Sequence, residues 1–497
     1  MDEYKTEQLS DEYEIRLKKL AQMREQNLDP YPARVMTDFP LHELRRNFEL
    51  LLGRGDSVTV AGRIMSKRMH GKSSFVHIQD GTDRFQLYVR IDALGEEEYE
   101  FFKRMLDIGD FVQVSGTLFR TRTDEETVQV ECIKLLTKTL RPLPEKWHGL
   151  ADEDKKIRQR YLDILMNEQT KERFVKRAKL LRAMRDYLDS HGYLEVETPT
   201  LQPLYGGANA RPFDTHHNAL DMKLFLRIAT ELYLKRLIIG GIDRVYEIGK
   251  NFRNEGIDRM HNPEFTLLEV YRAYADYNDM MELCEGLMRN LAEKITGSLR
   301  VCYQDIETNL AGSFERIPFW DAVNSRAGQD LSDASRDDIA KYLVDEGIEY
   351  DKGASWAVLI DEVFKEKVER TLTQPTFIID YPVELSPLAK RKSDDKKLVE
   401  RFELFWYGME MANAFTELND PIDQRERFEQ QMENRTKGDL EAQVLNEDFI
   451  TAMEHGMPPT GGLGMGVDRI AMILTDSYSI RDIILFPLVR PKASLEL

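Results

Sequence analysis

Positive charge is scarce in this 497-residue chain: 69 Lys and Arg face 88 Asp and Glu, a formal net charge of −19. That balance excludes a non-specific nucleic-acid coat, yet leaves room for a nucleic-acid partner met by local basic patches. Cysteine is scarcer still. Cys132, Cys284 and Cys302 are widely spaced and form no C-x-x-C, which excludes a disulfide framework and a cysteine-built metal cluster and fits a reducing compartment. No run of about eighteen apolar residues exists, and the acidic opening "MDEYKTEQLSDEYE" has no apolar stretch of the kind a secretory signal needs. A cytoplasmic protein with no membrane partner is expected. Internal repeats and low-complexity tracts are also missing, and the length allows two or three domains with separate cores.

What is present divides into segments. Residues 8–28 are highly charged with a thin apolar stripe at Leu17, Leu20 and Met23, and read as a mostly solvated helix stopped by "DPYP"; residues 1–52 form an N-terminal helical extension. Five short runs of β-type residues follow: "SVTVAGRI", "SSFVHIQD", "RFQLYV", "DFVQVSGTLF" and "TVQVECIKLL". With Gly or Asp turns between them they predict an OB-fold barrel over 53–140. Two prolines in "TLRPLPEKWHG" place a linker at 141–160. From there to 497 helical and strand periods mix without βαβα alternation, so helices against an antiparallel sheet, an α+β domain, are expected. Alternating runs at 243–255, 263–274 and 401–419 are the candidate strands, and the charged stretch 325–400 reads as a helical insertion.

Alternation assigns faces in the barrel. If Val76 and Ile78 are inside, Phe75 and His77 share the outer face; if Phe85, Leu87 and Val89 are inside, Gln86 and Tyr88 point outward. Arg63, Lys67, Arg68 and Lys72 flank them. Rings amid cations suit single-stranded nucleic acid, whose bases stack for ~1–3 kcal/mol each. The alternative is a plain β-domain with a solvated basic face.

Three stretches of the larger domain bear on chemistry. In "NFRNEGIDRMHNPEF" (251–265) and the strands around it, parity puts Arg253, Glu255, Phe265, Glu269 and Tyr271 on one sheet face. A guanidinium grips phosphate in bidentate fashion, and a flat ring can carry a purine. Carboxylates such as Glu269 suit a cationic substrate, whereas a surface Arg253–Glu255 ion pair would contribute little. In "RFELFWYGMEMANAFTELND", Glu403, Glu410, Asn413 and Glu417 lie among apolar residues, where acids are unfavourable unless they meet a cation. Mg²⁺ bound by carboxylates and substrate phosphates is one such cation. Parity separates Glu410 from Glu417, so a bulge is required, expected at Gly408. In "TGGLGMGVDRIAMILT", four glycines precede a helix whose first turn holds Asp468 and Arg469, an arrangement open to an anion.

These stretches, in this order, resemble the three motifs of class II aminoacyl-tRNA synthetases. "HGYLEVETPTLQP", with Pro199 at its end, is similar to motif 1, "RVYEIGKNFRNEGIDRMHNPEF" to motif 2 and "GGLGMGVDRI" to motif 3. Within the class, "FRNEG" then "HNPEFT", with "GGANARPF" and "ATELYLKRL", resembles the class II lysyl-tRNA synthetases over essentially the whole chain. The resemblance implies a homodimer with motif 1 at its interface, and activation of lysine by ATP before transfer to tRNA(Lys). It implies that Arg253 holds the α-phosphate and the lysine carboxylate, Glu255 bonds the adenine amino group, Phe265 and Arg469 sandwich the adenine, and His261 lies near the outer phosphates. Gly207 and Glu231 would face the α-amino group and Asn413 the carboxylate, while Glu269, Tyr271 and Glu417 read the ε-ammonium. Glu403 and Glu410 match the Mg²⁺ ligands; Phe75 and Gln86 match the pair that reads the middle anticodon base. The family usually has Arg before Glu410, and this chain has Met409.

A non-catalytic RNA-binding protein on the same frame would have lost an Arg or a carboxylate from motif 2 or 3, and all are present. Relatives that modify proteins with lysine lack an anticodon barrel. Aspartate or asparagine as substrate is opposed by carboxylates expected to meet an ammonium.

Overall fold

The computed structural model describes residues 2–144, 152–436 and 444–490; positions 145–151 of the expected linker lie outside them. The chain divides into two compact units, Met1–Ala151 and Asp152–Leu497. Residues 153–166, of which the linker was expected to cover the first part, form two short helices, Glu153–Arg158 and Arg160–Met166.

In the first unit a helix over Asp2–Glu25 and two short helices, Leu41–Arg46 and Phe48–Arg54, lead into five strands: β1 (Ser57–His70), β2 (Ser73–Gln79), β3 (Arg84–Arg90), β4 (Phe111–Arg120) and β5 (Glu126–Thr137). They close into a barrel in the order β1-β2-β3-β5-β4. Burial alternates strictly along β2, and Val76, Ile78, Phe85, Leu87 and Val89 enter the barrel core with Phe48 of the preceding helix. A helix over Glu96–Met105, between β3 and β4, is an element the strand pattern did not announce.

The second unit is built on an eight-stranded sheet. Its strands in chain order are β6 (Leu194–Glu195), then, after the separate three-stranded sheet of β7 (Leu201–Gln202), β8 (Asp214–His217) and β9 (Met222–Leu226), the hairpin β10 (Arg244–Phe252) and β11 (Glu264–Ala273). A small hairpin, β12 (Arg300–Tyr303) and β13 (Ile306–Asn309), precedes β14 (Glu315–Pro318), β15 (Thr376–Ile379), β16 (Arg401–Trp406), β17 (Met409–Thr416) and β18 (Thr460–Gly466). The sheet order is β14-β15-β16-β17-β18-β11-β10-β6, and its central pairs are antiparallel. One face packs Leu268, Val270, Ala412, Ala414, Leu463 and Met465 into the main core with the helix Tyr277–Thr296. The other face is left for polar residues.

One expectation needs correction. The stretch 325–400 is not a wholly helical insertion. Helices Arg336–Asp345 and Trp356–Lys367 do pack with the preceding helix Phe319–Ala327 in a core of their own. Residues 376–379, "TFII", instead form β15, parallel to β14 and antiparallel to β16. Their β-branched and aromatic side chains suit a sheet interior, and the first three are buried. The glycines of "TGGLGMG" form a strand, β18, in the middle of the sheet, directly before the expected helix, Val467–Leu474. Glycine inside a strand marks a place where something approaches the backbone closely.

Candidate active site

Pairing across the sheet builds the floor. Glu247 stands opposite Glu269, Glu269 opposite Gly464, Gly464 opposite Asn413, and Asn413 opposite Glu403, one row crossing five strands. The next row runs Val245, Tyr271, Gly462, Phe415, Arg401. Residues opposite one another in neighbouring strands share a face, so carboxylates, an amide, a phenol and a guanidinium converge around side-chain-free glycines. Above this floor lies a cavity of about 400 Å³, lined among others by Gly207, Glu231, Arg253, Glu255, His261 and Phe265, together with Glu269, Tyr271, Glu403, Glu410, Asn413 and Arg469. Of the expected catalytic-domain residues only Glu417 lies outside that lining.

The expected bulge exists but sits elsewhere. Gly408 (φ +68) and Tyr407 (φ +53) make the tight turn between β16 and β17. The register shifts one step further in: Leu404 pairs with Ala412 while Phe405 pairs with Glu410, leaving Met411 as the extra residue. That insertion restores Glu410 to the face of Asn413 and Phe415 and sends Met411 to the core. Met409 is buried in the same core and contributes packing there.

At one end of the cavity the groups are cationic. Arg253, just past β10, half-covers Phe265 of β11 with its guanidinium 5.1 Å from the ring centroid, and its backbone N–H donates to Pro263 O at 2.9 Å. Its Nε is buried and has no hydrogen-bond partner among the described residues. Arg469, in the first turn of the helix Val467–Leu474, donates through Nη1 to the Glu410 carbonyl at 2.6 Å and through Nη2 to His261 Nε2 at 3.2 Å. A guanidinium only donates, so His261 must carry its proton on Nδ1, which bonds Asp258 at 2.8 Å. The helix is fixed by Asp468, whose carboxylate takes the Thr266 N–H at 2.7 Å and Arg177 at 2.7 Å. Glu255 is exposed on the loop beyond Arg253.

The other end is acidic and dry. Glu269 is buried; one oxygen accepts the Thr230 N–H at 3.0 Å and the other the Tyr271 hydroxyl at 3.4 Å. Burial pushes its carboxyl up to about 7, with Glu231 and Glu247 adding repulsion. Glu417 is fully buried and pushed up to about 8, by burial first. Gly462 makes room for it: a Cβ there would stand 1.9 Å from Glu417 Oε1. Gly207 has φ +86, and a Cβ there would stand 3.0 Å from Glu231 Cβ.

Three residues that the sequence reading passed over organise these groups. Lys235 pairs with both Glu231 and Glu417; its spacing four residues after Glu231 in "TELYLKRL" was a legible helical pair. Arg401, which shares parity with Glu403 in "RFELF", bonds Glu403, and donates to Asn413 Oδ1 at 3.1 Å and to the Leu385 carbonyl at 2.8 Å. Tyr381 donates to Glu403 Oε2 at 2.8 Å; its signal was weak, because it lies in an irregular segment.

The carboxylates at the middle of the cavity fit a divalent cation. Burial and the nearness of Glu410 push Glu403 up to about 7 despite Arg401, and Glu369 is pushed up to about 7 by burial and by Glu410 and Glu403. A cation would relieve that repulsion. Among the described residues no group of three or more His, Cys, Asp or Glu could hold a metal ion by itself.

On the barrel, Phe75 is half-buried and stacks on Tyr88 with centroids 4.7 Å apart. Gln86 faces outward beside His77, but is only 7% exposed, and its Oε1 accepts the Thr127 hydroxyl at 2.8 Å. With Arg45, Arg84, Glu125 and Glu126 these residues line a surface pocket. Lys67 is not free for phosphate: its ammonium donates to the Phe102, Lys103 and Leu106 carbonyls at the end of the Glu96–Met105 helix, and burial lowers it to about 8. Arg68 and Lys72 remain exposed.

A mainly antiparallel sheet carrying Arg253 against Phe265, a glycine strand and a helix-borne Arg469, in a chain that also holds a closed five-stranded barrel, has the make-up of an aminoacyl-tRNA ligase of class II. Family models agree: residues 152–490 match "tRNA synthetases class II (D, K and N)" and residues 58–136 match "OB-fold nucleic acid binding domain", so the chain belongs to the class II tRNA synthetases of the D, K and N group. Within it, the chain is 51% identical to the lysine–tRNA ligase of Carboxydothermus hydrogenoformans over 98% of this chain and 99% of that protein. It is 52% identical to that of Pelotomaculum thermopropionicum (98% and 96%) and 48% identical to that of Bacillus subtilis (99% and 99%).

Proposed function

We infer that this enzyme is a lysine–tRNA ligase: it activates L-lysine with ATP to lysyl-adenylate and passes the lysyl group to tRNA(Lys). The observation that carries the reading is the polarity of the one cavity, with an unpaired Arg253 nitrogen at one end and buried, cation-poor carboxylates at the other. ATP enters with its base between Phe265 and Arg469, its amino group at Glu255 and its outer phosphates near His261. Arg253 spans the α-phosphate and the amino-acid carboxylate. Lysine's ε-ammonium reaches Glu269 and Tyr271, with Glu417 behind them against Gly462, its α-ammonium reaches Glu231 beside Gly207, and Asn413 orients its carboxylate.

In the first step a carboxylate oxygen of lysine forms a bond to the α-phosphorus as the bond to the β-phosphate oxygen breaks, and pyrophosphate leaves with its charge. The nucleophile is already ionised, so no general base is needed; positioning and charge neutralisation supply the rate. Glu403 and Glu410 would hold Mg²⁺, which when bound would neutralise phosphate charge. In the second step the terminal hydroxyl of tRNA attacks the lysyl carbonyl and AMP departs. Phe75 stacks on the middle anticodon base and Gln86 hydrogen-bonds it. Motif 1 carries the exposed apolar residues Leu194 and Leu201, and Leu204 follows it, which supports a homodimer through that face. The enzyme works in the cytoplasm; among the described residues no helix is long and apolar enough to cross a membrane.

Amino-acid-dependent pyrophosphate exchange across the twenty amino acids tests the reading. Exchange with lysine far above all others is expected, with norleucine rejected because it would leave buried carboxylates without a partner. Exchange driven by aspartate or asparagine would overturn it.

A further inference from the structure

Lys235 and Glu417 stand behind the cavity wall, not in it. Lys235 is wholly buried on the helix Glu231–Ile239. Its ammonium lies 2.5 Å from Glu231 Oε1 and 2.5 Å from Glu417 Oε2, two carboxylates brought by different elements. The ring of Phe449 closes the far side, with its centroid 5.9 Å from Nζ. Every acid that faces Lys235 is thus one that the proposed lysine site uses. The next acidic group, Glu269 of β11, forms no ion pair among the described residues: one oxygen accepts the Thr230 N–H and the other the Tyr271 hydroxyl. Glu417 Oε1, on the side of Gly462, makes no hydrogen bond among the described residues.

Three buried carboxylates therefore share one resident ammonium. A substrate carrying two ammonium groups supplies the two missing charges. We propose that Lys235 is a specificity-determining positioning residue, a built-in ammonium that holds the Glu231 and Glu417 carboxylates in place in the empty enzyme so that the site accepts an amino acid with a second amine. The proposal rests on the lysine reading of the same site. Its physical basis is that a buried carboxylate without a cation takes up a proton, and a protonated acid does not attract an ammonium. Lys235 lowers both Glu231 and Glu417 against the upward push of burial. Without it both acids rise further, and lysine must displace their protons in order to bind.

The test is Lys235→Met in the full-length enzyme, followed by lysine-dependent pyrophosphate exchange at pH 6.5, 7.5 and 8.5. A raised KM for lysine is expected, about tenfold or more at pH 6.5, with the ratio to wild type falling at least threefold by pH 8.5, while KM for ATP stays within twofold. In Lys235→Ala, added methylammonium or ethylammonium should restore part of the activity, and tetramethylammonium, too large for the space, should not. A KM ratio constant across pH together with no rescue by any amine would overturn the proposal and leave Lys235 a packing residue. If Lys235→Met does not fold, the Ala variant and its rescue decide the matter alone. Failure of the wild-type enzyme to activate lysine would instead sink the substrate reading, so the two failures are distinguishable.

Discussion

Arg253 and Glu269 mark the two ends of the cavity, and each gives a measurable consequence. Arg253 lies over Phe265 with a buried Nε that makes no hydrogen bond among the described residues, so the fold gains little from it. Arg253→Ala should leave the thermal midpoint nearly unchanged and lower lysine-dependent pyrophosphate exchange by at least about 10²–10³-fold, the effect of deleting one preorganised charge donor; unaltered exchange would remove it from phosphate binding. Glu269 is pushed up to about 7. Below that pH it is increasingly protonated and presents no charge, so wild-type KM for lysine should fall as pH rises through about 7. Glu269→Gln should raise KM by roughly 10–150-fold, the equivalent of about 1.5–3 kcal/mol for a hydrogen bond to a charged group, and flatten that pH dependence. Both residues were legible in the sequence, because strand parity placed them on one face. Lys235 was legible only as a helical partner of Glu231, because an acid and a base four apart on a helix usually mean a solvated surface pair, and only the tertiary packing reveals that this pair is buried.

Among the elements, β17 and β18 decide the shape of the site. Alternation along "FWYGMEMANAFTE" showed that a bulge was needed, and Gly408 was the local signal. The turn consumed that glycine, and the bulge fell at Met411, where no residue type advertises it. Parity is a property of one strand, whereas register is a property of two. The glycines of β18 were visible, but their place in the centre of a sheet was not, since glycine is a poor strand former. That placement separates two substitutions. At Gly462 a Cβ would stand 1.9 Å from Glu417 Oε1 and 2.6 Å from Tyr271 Cε1. Gly462→Ala should therefore lose about 1–3 kcal/mol of stability through overpacking and raise KM for lysine. At Gly464 the nearest atom to a Cβ is the Asn413 carbonyl at 3.8 Å, so Gly464→Ala should keep the wild-type melting midpoint while its methyl occupies ligand space and depresses exchange. Equal melting losses in both variants would show that β18 is not a floor left bare for ligand.

Over the whole molecule, a chain of net charge −19 has to meet a polyanion, and the barrel shows how few groups are available for it. Of the basic residues flanking the outer face, Lys67 is committed to helix carbonyls and Arg63 lies over the Phe111 ring, 4.2 Å from its centroid, while Arg68 and Lys72 stay exposed. Contact on this face must then lean on stacking more than on phosphate neutralisation. Among the described residues the barrel and the catalytic unit keep separate cores. Phe75, half-buried on Tyr88, is the ring in question. Phe75→Ala removes a stacking platform worth ~1–3 kcal/mol, which converts to a loss of roughly 5–150-fold in kcat/KM for tRNA(Lys) aminoacylation. Pyrophosphate exchange, which needs no tRNA, should stay within twofold of wild type. Because the lost interaction is mostly uncharged, the fold-loss should change little between low and moderate salt, whereas Arg68→Ala and Lys72→Ala should reduce the salt dependence of tRNA binding instead. A Phe75→Ala enzyme that aminoacylates normally would move the anticodon contact off this face, and one that lost exchange as well would mean that the two units are coupled through more than the bound tRNA.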